Sequence, residues 1–261
     1  MSRLPAALLA LTTLAACATT GEGSGTDAAT AQADRRIDRE ARERIARSDM
    51  LTQMAFWANE YNLFPEDLEA AQKFAETLRR GGRADRSVQV AGEALARFPN
   101  DPALLYTYGL AQLAARHPQE ALRPLALIAQ ADPQNWRARS ALGAALDQVG
   151  RFGEARRAYQ EALAIQPNDP GVLTNLGVSH IMAGDPAAAE PILRQAVALP
   201  GAPPEARQNL AISLALQGRF GEAEQLQRMD LPPAQAAENV AYLRGLLSDP
   251  RRWGDLGGGA R

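Results

Sequence analysis

Small and apolar residues recur along the chain at a fixed interval of 34. Gly109, Gly143 and Gly177 are followed at that spacing by Ala211, and Ala121, Ala155, Ala189 and Ala223 form a second series in the same register. A period of this length marks a repeated helical unit that buries its apolar face only by stacking on its neighbours. Five units begin near Leu68, Pro102, Trp136, Pro170 and Pro204, each with two runs of apolar residues at helical spacing. The pattern predicts an all-α solenoid of about five antiparallel helix pairs over residues 68–237. Phe74, Tyr108, Leu142, Leu176 and Leu210 on first helices, with Leu125, Tyr159 and Leu193 on second helices, are the predicted core. The two small-residue series mark where the helices of a pair approach closely, and Ser87 is their least typical member.

Helix boundaries are written into the same register. Asp101-Pro102 and Asp169-Pro170 supply an N-cap followed by proline at the first helical position, where no amide donor is needed. Gly82, Gly150, Gly184 and Gly218 share the turn between the helices, and Pro99, Pro133 and Pro167 end the second helices. Arg116-His117-Pro118 replaces the turn glycine in the second unit, while Pro124 and Pro191 fall inside second helices, where kinks are predicted.

The flanks read as caps. Residues 34–67 start with interleaved charges around Ile37, Ala41 and Ile45, an exposed amphipathic helix, and continue into the apolar cluster Met50, Leu51, Met54, Phe56, Trp57 and Tyr61. That cluster either covers the open face of the first repeat, as a solenoid end requires, or docks on a partner. Residues 234–247, with Val240, Leu243 and Leu247 at helical spacing, are the predicted C-terminal capping helix. Residues 248–261 are the expected disordered tail, in which Trp253 is an exposed remnant or a binding anchor.

The N-terminus changes the picture from fold to location. Met1-Ser2-Arg3 precedes an apolar run from Leu4 to Ala16, too short to span a membrane as a mature helix, and residues 1–16 read as a lipoprotein signal peptide. Leu14-Ala15-Ala16-Cys17 resembles the bacterial lipobox, which implies acylation of Cys17, palmitate included, ahead of a flexible tether over residues 17–33. Cys17 is the sole cysteine, so an internal disulfide is excluded. Three acyl chains exceed the two signals that stable anchoring needs. Ala18 follows the cysteine where inner-membrane lipoproteins carry aspartate, so the expected location is the outer membrane, lipid-anchored and facing the periplasm. The balance of 28 basic and 30 acidic residues gives no electrostatic footprint for nucleic acid.

With its small, aromatic and proline positions, this register resembles the tetratricopeptide repeat family from about Leu68 to Ala237. The resemblance implies a right-handed superhelix whose first helices line an inner groove that holds a peptide or helix of a protein partner. On this register the groove carries Tyr106, Leu110, Leu113, Ser140, Ala144, Asp147, Thr174, Val178, Ile181, Gln208 and Ile212. It is mostly apolar, which suits an amphipathic helix or an extended apolar segment better than an acidic tail. Only Arg79 and Arg137 lie near it, so a carboxylate clamp is not expected. Asn175 and Asn209 share one place in consecutive units, either as rungs of a backbone-binding amide ladder or as solvated or helix-capping asparagines.

No catalytic, metal or cofactor chemistry is predicted. One cysteine and two histidines do not make a zinc site; His117 falls in a turn, and His180 aligns with Leu146 and Leu214 as a partly buried residue. The stretches Arg207-Gln208-Asn209-Leu210-Ala211, Gln217-Gly218-Arg219-Phe220, Asp230-Leu231-Pro232-Pro233 and Asn239-Val240-Ala241-Tyr242-Leu243-Arg244 resemble the TadD family, the tetratricopeptide lipoproteins of the Tad (tight adherence, Flp) pilus assembly system. That likeness implies a non-catalytic scaffold assisting the secretin and other pilus components. The alternative is a general envelope adaptor recruiting a peptidoglycan enzyme or a protease.

Overall fold

The computed structural model describes residues 39–248, so Cys17, the signal segment, the tether and Trp253 lie outside it. Up to Asp49 the described chain is helical over residues 39–45, with Ala41 and Ile45 half-buried, and closes with Ser48 Oγ donating to the Ile45 carbonyl at 2.8 Å. The second compact unit begins at Met50 and is described by itself.

That unit is a chain of antiparallel α-helices with no strand among the described residues. Helix α1 (Met50–Leu63) precedes five pairs: α2 (Leu68–Arg80) with α3 (Ala84–Arg97), α4 (Pro102–Ala114) with α5 (Pro118–Ala131), and α6 (Trp136–Gln148) with α7 (Phe152–Ile165). Then come α8 (Pro170–Met182) with α9 (Pro186–Ala198), α10 (Pro204–Leu216) with α11 (Phe220–Gln227), and finally α12 (Pro233–Ser248). The first helices start at the five places the period predicted.

Each pair is punctuated by the chemistry of its ends. Asp67, Asp101, Asn135 and Asp169 accept from the amides of Ala70, Leu104, Ala138 and Val172 at 3.1, 2.8, 3.0 and 2.9 Å, satisfying donors that the first helical turn leaves free. Between the helices, Gly82, Gly150, Gly184 and Gly218 take φ values of 72–81°, and Arg116 adopts φ 63° at the same place in the second unit. The next amide then bonds back five residues, as from Arg151 to the Leu146 carbonyl at 2.9 Å and from His117 to the Gln112 carbonyl at 2.8 Å. These are the two-bond stops that end a helix in a left-handed residue. Pro124 and Pro191 do not interrupt α5 and α9, which run through them. Each removes a single backbone donor.

The small series does what size alone predicts. A Cβ placed on Gly109, Gly143 or Gly177 would lie 2.7, 2.6 or 2.5 Å from Leu125, Tyr159 or Leu193 on the second helix of the same pair. Those three large side chains are fully buried, as are Ala121, Ala155, Ala189, Ala211 and Ala223. Ser87 fits among them because its hydroxyl donates to the Ala75 carbonyl at 2.7 Å. Phe74, Leu176 and Leu210 are buried, whereas Tyr108 and Leu142 are half-buried.

Helix α1 covers the N-terminal face of α2, with Trp57 and Tyr61 buried, the Tyr61 and Phe74 rings 5.6 Å apart, and the Tyr61 hydroxyl donating to Glu93 at 3.0 Å. At the other end α12 packs Val240 and Leu243 onto the cluster of Leu210, Leu214 and Ala223. First helices touch the next first helix along the array, while second helices touch only the first helices that flank them. This asymmetry sets the first helices on the inside of the curve and makes their outward residues a continuous groove.

Candidate protein-binding groove

Along that inner face, Tyr106, Leu110 and Leu113 of α4, Ser140 and Ala144 of α6, Val178 and Ile181 of α8, and Asn209 and Ile212 of α10 are half-buried. Half-burial is what a surface needs in order to hold its side chains in place and still have apolar area left to cover. Tyr106, Leu110 and Leu113 also pack inward on the cluster of Ala121, Leu125, Ala141 and Ala145. Between these bulky residues and Val178 and Ile181 on the other side, Ser140 and Ala144 form a floor of small side chains. Burial raises the Tyr106 hydroxyl above its ordinary value, against the opposing pull of Arg79 and Arg137. The hydroxyl is therefore neutral and available to donate. The Arg137 guanidinium lies over the Trp136 ring at 4.4 Å.

Two of the expected groove residues are turned into the protein instead. Thr174 is 5% exposed and its hydroxyl donates to the Pro170 carbonyl at 2.6 Å. Asp147 is 6% exposed, and both of its oxygens are taken: Tyr159 Oη donates to Oδ2 at 3.0 Å and Ser179 Oγ to Oδ1 at 2.7 Å. Burial pushes the Asp147 carboxyl up, while those two hydrogen bonds and the charges of Arg156 and His180 pull it down. The Tyr159 hydroxyl is pushed far up by burial and by the adjacent carboxylate. Asp147 is thus a tie between α6, α7 and α8, not a contact for a ligand. Tyr159 standing where Leu125 and Leu193 stand, and Asp147 where Leu113 and Ile181 stand, is the polar oddity in one unit that signals this tie.

Asn175 and Gln208 are exposed, and neither Asn175 nor Asn209 is drawn into a hydrogen bond among the described residues. Their amides are free to meet a peptide backbone. His180 is half-buried, and its imidazole is held below the ordinary value by burial and by Arg156. His117 stands at the N-cap position of α5 without a side-chain capping bond, and its ring pairs with Gln112 at 3.2 Å.

The period alone did not reveal a pocket of about 540 Å³ at the C-terminal end of the groove. Gln208 and Ile212 of α10 form one wall, Gln227 and Leu231 the base, and Gln235, Glu238, Asn239, Tyr242 and Leu243 of α12 the other wall. Asn239 donates to Gln227 at 3.2 Å across it. Among the described residues no cluster of three metal-ligating side chains occurs, and no helix is long and apolar enough to cross a membrane.

Comparison with known proteins bears on the same residues. TPR repeat-containing protein PA4667 of Pseudomonas aeruginosa is 33% identical over 124 residues, 47% of this chain and 21% of that protein, so the match spans about a fifth of the relative's length. The solved structure of TTC0263, a thermophilic TPR protein of Thermus thermophilus, has a TM-score of 0.58 at 22% identity, covering 69% of this chain and 99% of its own. MamA of Desulfovibrio magneticus RS-1 gives 0.55 at 22% identity, covering 64% and 93%. At that identity these two likenesses carry the fold. Residues 136–200, and separately 73–135 and 174–237, match tetratricopeptide repeat families, an extent that covers more than half of the chain. A period of 34, glycines packed under the large residue of the partner helix, and an inner face built by first helices agree with that match, and the chain belongs to the tetratricopeptide repeat family, whose members are scaffolds for protein–protein interaction.

Proposed function

We propose that this protein is a non-catalytic scaffold, anchored through lipid on Cys17 to the outer membrane and facing the periplasm, that helps assemble a Tad (Flp) pilus machine by holding its secretin. The observation that carries the binding part is the half-buried apolar row from Tyr106, Leu110 and Leu113 through Val178 and Ile181 to Ile212. Such a row, with small residues between its bulky members, matches the apolar stripe of an amphipathic helix or an extended apolar segment. The lipobox and Ala18 support the location, and the likeness of residues 207–244 to the TadD family supports the pilus system.

Deletion of the gene, or Cys17→Ser in the chromosomal copy, is expected to reduce secretin multimers in the outer membrane. Normal multimers in both strains would sink the proposal. Photocrosslinking from position 178 in cells identifies the groove's occupant: secretin supports the reading, and a peptidoglycan enzyme or a protease transfers the scaffold to a different complex.

A further inference from the structure

The pocket beside α12 exists because α11 has only 8 residues where the other second helices have 13 or 14. The chain therefore turns early into α12, leaving Ile212, Leu231 and Leu243 around a space of about 540 Å³. That is within the range of roughly 300–1,000 Å³ typical of pockets that hold a compact ligand group. Tyr242, 59% exposed, offers a ring at its rim, and Glu238 supplies a negative charge to the lining. The nearby Asp230 carboxylate is already paired with Arg207.

We propose that this pocket is the docking site for the chain's own C-terminal segment, residues 249–261, with the Trp253 indole seated between Ile212, Leu243 and Tyr242. The helix that forms one wall continues past the last lining residue, Leu243, and ends at Ser248, where the segment begins. Leu243 lies five residues back from that end, about 7.5 Å along a helix. Asp249 to Trp253 span at most about 17 Å when extended, enough for the indole to double back to the level of Leu243 with length to spare. The segment carries one aromatic residue, Trp253, and the two residues before it, Arg251 and Arg252, are of opposite sign to Glu238. The ring supplies apolar area and an N–H for the carboxamide-rich rim, where Gln208 and Gln235 accept. Covalent attachment places the indole at millimolar effective concentration, so modest contact suffices to fill the pocket. A partner lying along the groove then meets the tail at the groove's C-terminal mouth. The inference does not depend on which protein that partner is.

The test is tryptophan fluorescence of the full chain, in which subtracting the Trp253→Phe spectrum from that of the unsubstituted protein isolates Trp253 from Trp57 and Trp136. Docking predicts blue-shifted emission and acrylamide quenching well below that of free indole. Gln208→Arg with Tyr242→Ala, both at exposed positions and checked for unchanged helicity by circular dichroism, should abolish that protection. Quenching of Trp253 at the free-indole level in the unsubstituted chain would overturn the proposal, as would protection that survives the double substitution. Protection lost on dilution assigns the indole to a second copy and equally overturns it.

Discussion

Gly143 shows how one missing methyl fixes the geometry of a helix pair. A Cβ there would sit 2.6 Å from Tyr159, and the ring cannot swing away because its hydroxyl is held by Asp147, whose other oxygen is held by Ser179. Gly143→Ala is therefore expected to destabilise by about 1–3 kcal/mol through overpacking, despite alanine's better helix propensity, as read by urea denaturation. Asp147→Ala leaves two buried hydroxyls without their acceptor, at a cost of about 1–3 kcal/mol each. Asp147→Asn keeps an acceptor for one hydroxyl and a donor to the other, and should stay within about 1 kcal/mol of the unsubstituted chain. The two forms part company with pH. Burial holds the Asp147 carboxyl above the ordinary carboxylate value, so the folded chain binds this proton more tightly than the unfolded chain. The group's contribution to stability is then largest below about pH 3.9 and declines as pH rises toward the raised folded value. Asp147→Asn lacks that decline, and its stability relative to the unsubstituted chain should rise across this window in denaturation series at stepped pH.

At the scale of the element, the turn at Arg116 repeats the glycine turns with a side chain that the conformation disfavours. Its φ of 63° matches Gly82, Gly150, Gly184 and Gly218, and the following amide still bonds back to Gln112. Arg116→Gly should therefore raise stability by about 1 kcal/mol, measured as a shift in the denaturation midpoint at unchanged slope. Most of the fold was legible in the sequence because caps, turn glycines and close-approach residues all repeat at one spacing, so each unit corroborates the others. What escaped the period depends on single departures from it. Helix α1 lies 34 residues before α3 at both ends, with Trp57 on the place of Leu125, Tyr159 and Leu193 and Pro65 on that of Pro99 and Pro133. It is a second helix in register, disguised because Glu40 is charged at the place where the other units carry Phe74, Tyr108, Leu142, Leu176 and Leu210. Asp147 was placed in the groove because a register says which way a Cα faces. Whether a short polar side chain reaches water or a neighbour depends on partners 12 and 32 residues on. The pocket follows from a shortened α11, for which Pro232-Pro233 was the available clue.

Across the whole array both helices of a pair contribute buried residues where they meet, and the two faces differ in their outward residues. The inner face concentrates half-buried apolar groups around the small floor of Ser140 and Ala144, while α5 on the outer side exposes Leu127 to 43%. Ala144→Arg fills the floor from the solvent side, and Val178→Arg puts a charge into the apolar row. Neither opens a cavity in the core, so melting temperatures should change little. If a partner lies in the groove, each substitution removes a central contact of the kind that contributes about 2 kcal/mol or more, a loss of roughly 30-fold in affinity. Leu127→Arg, equal in charge and bulk but on α5, should leave affinity unchanged. Measured by calorimetry against the periplasmic part of the secretin, a loss in both inner variants with none in the outer one locates binding on the first helices. Equal affinities in all three would remove the groove from the binding surface and leave the loops or the capped ends to hold the partner.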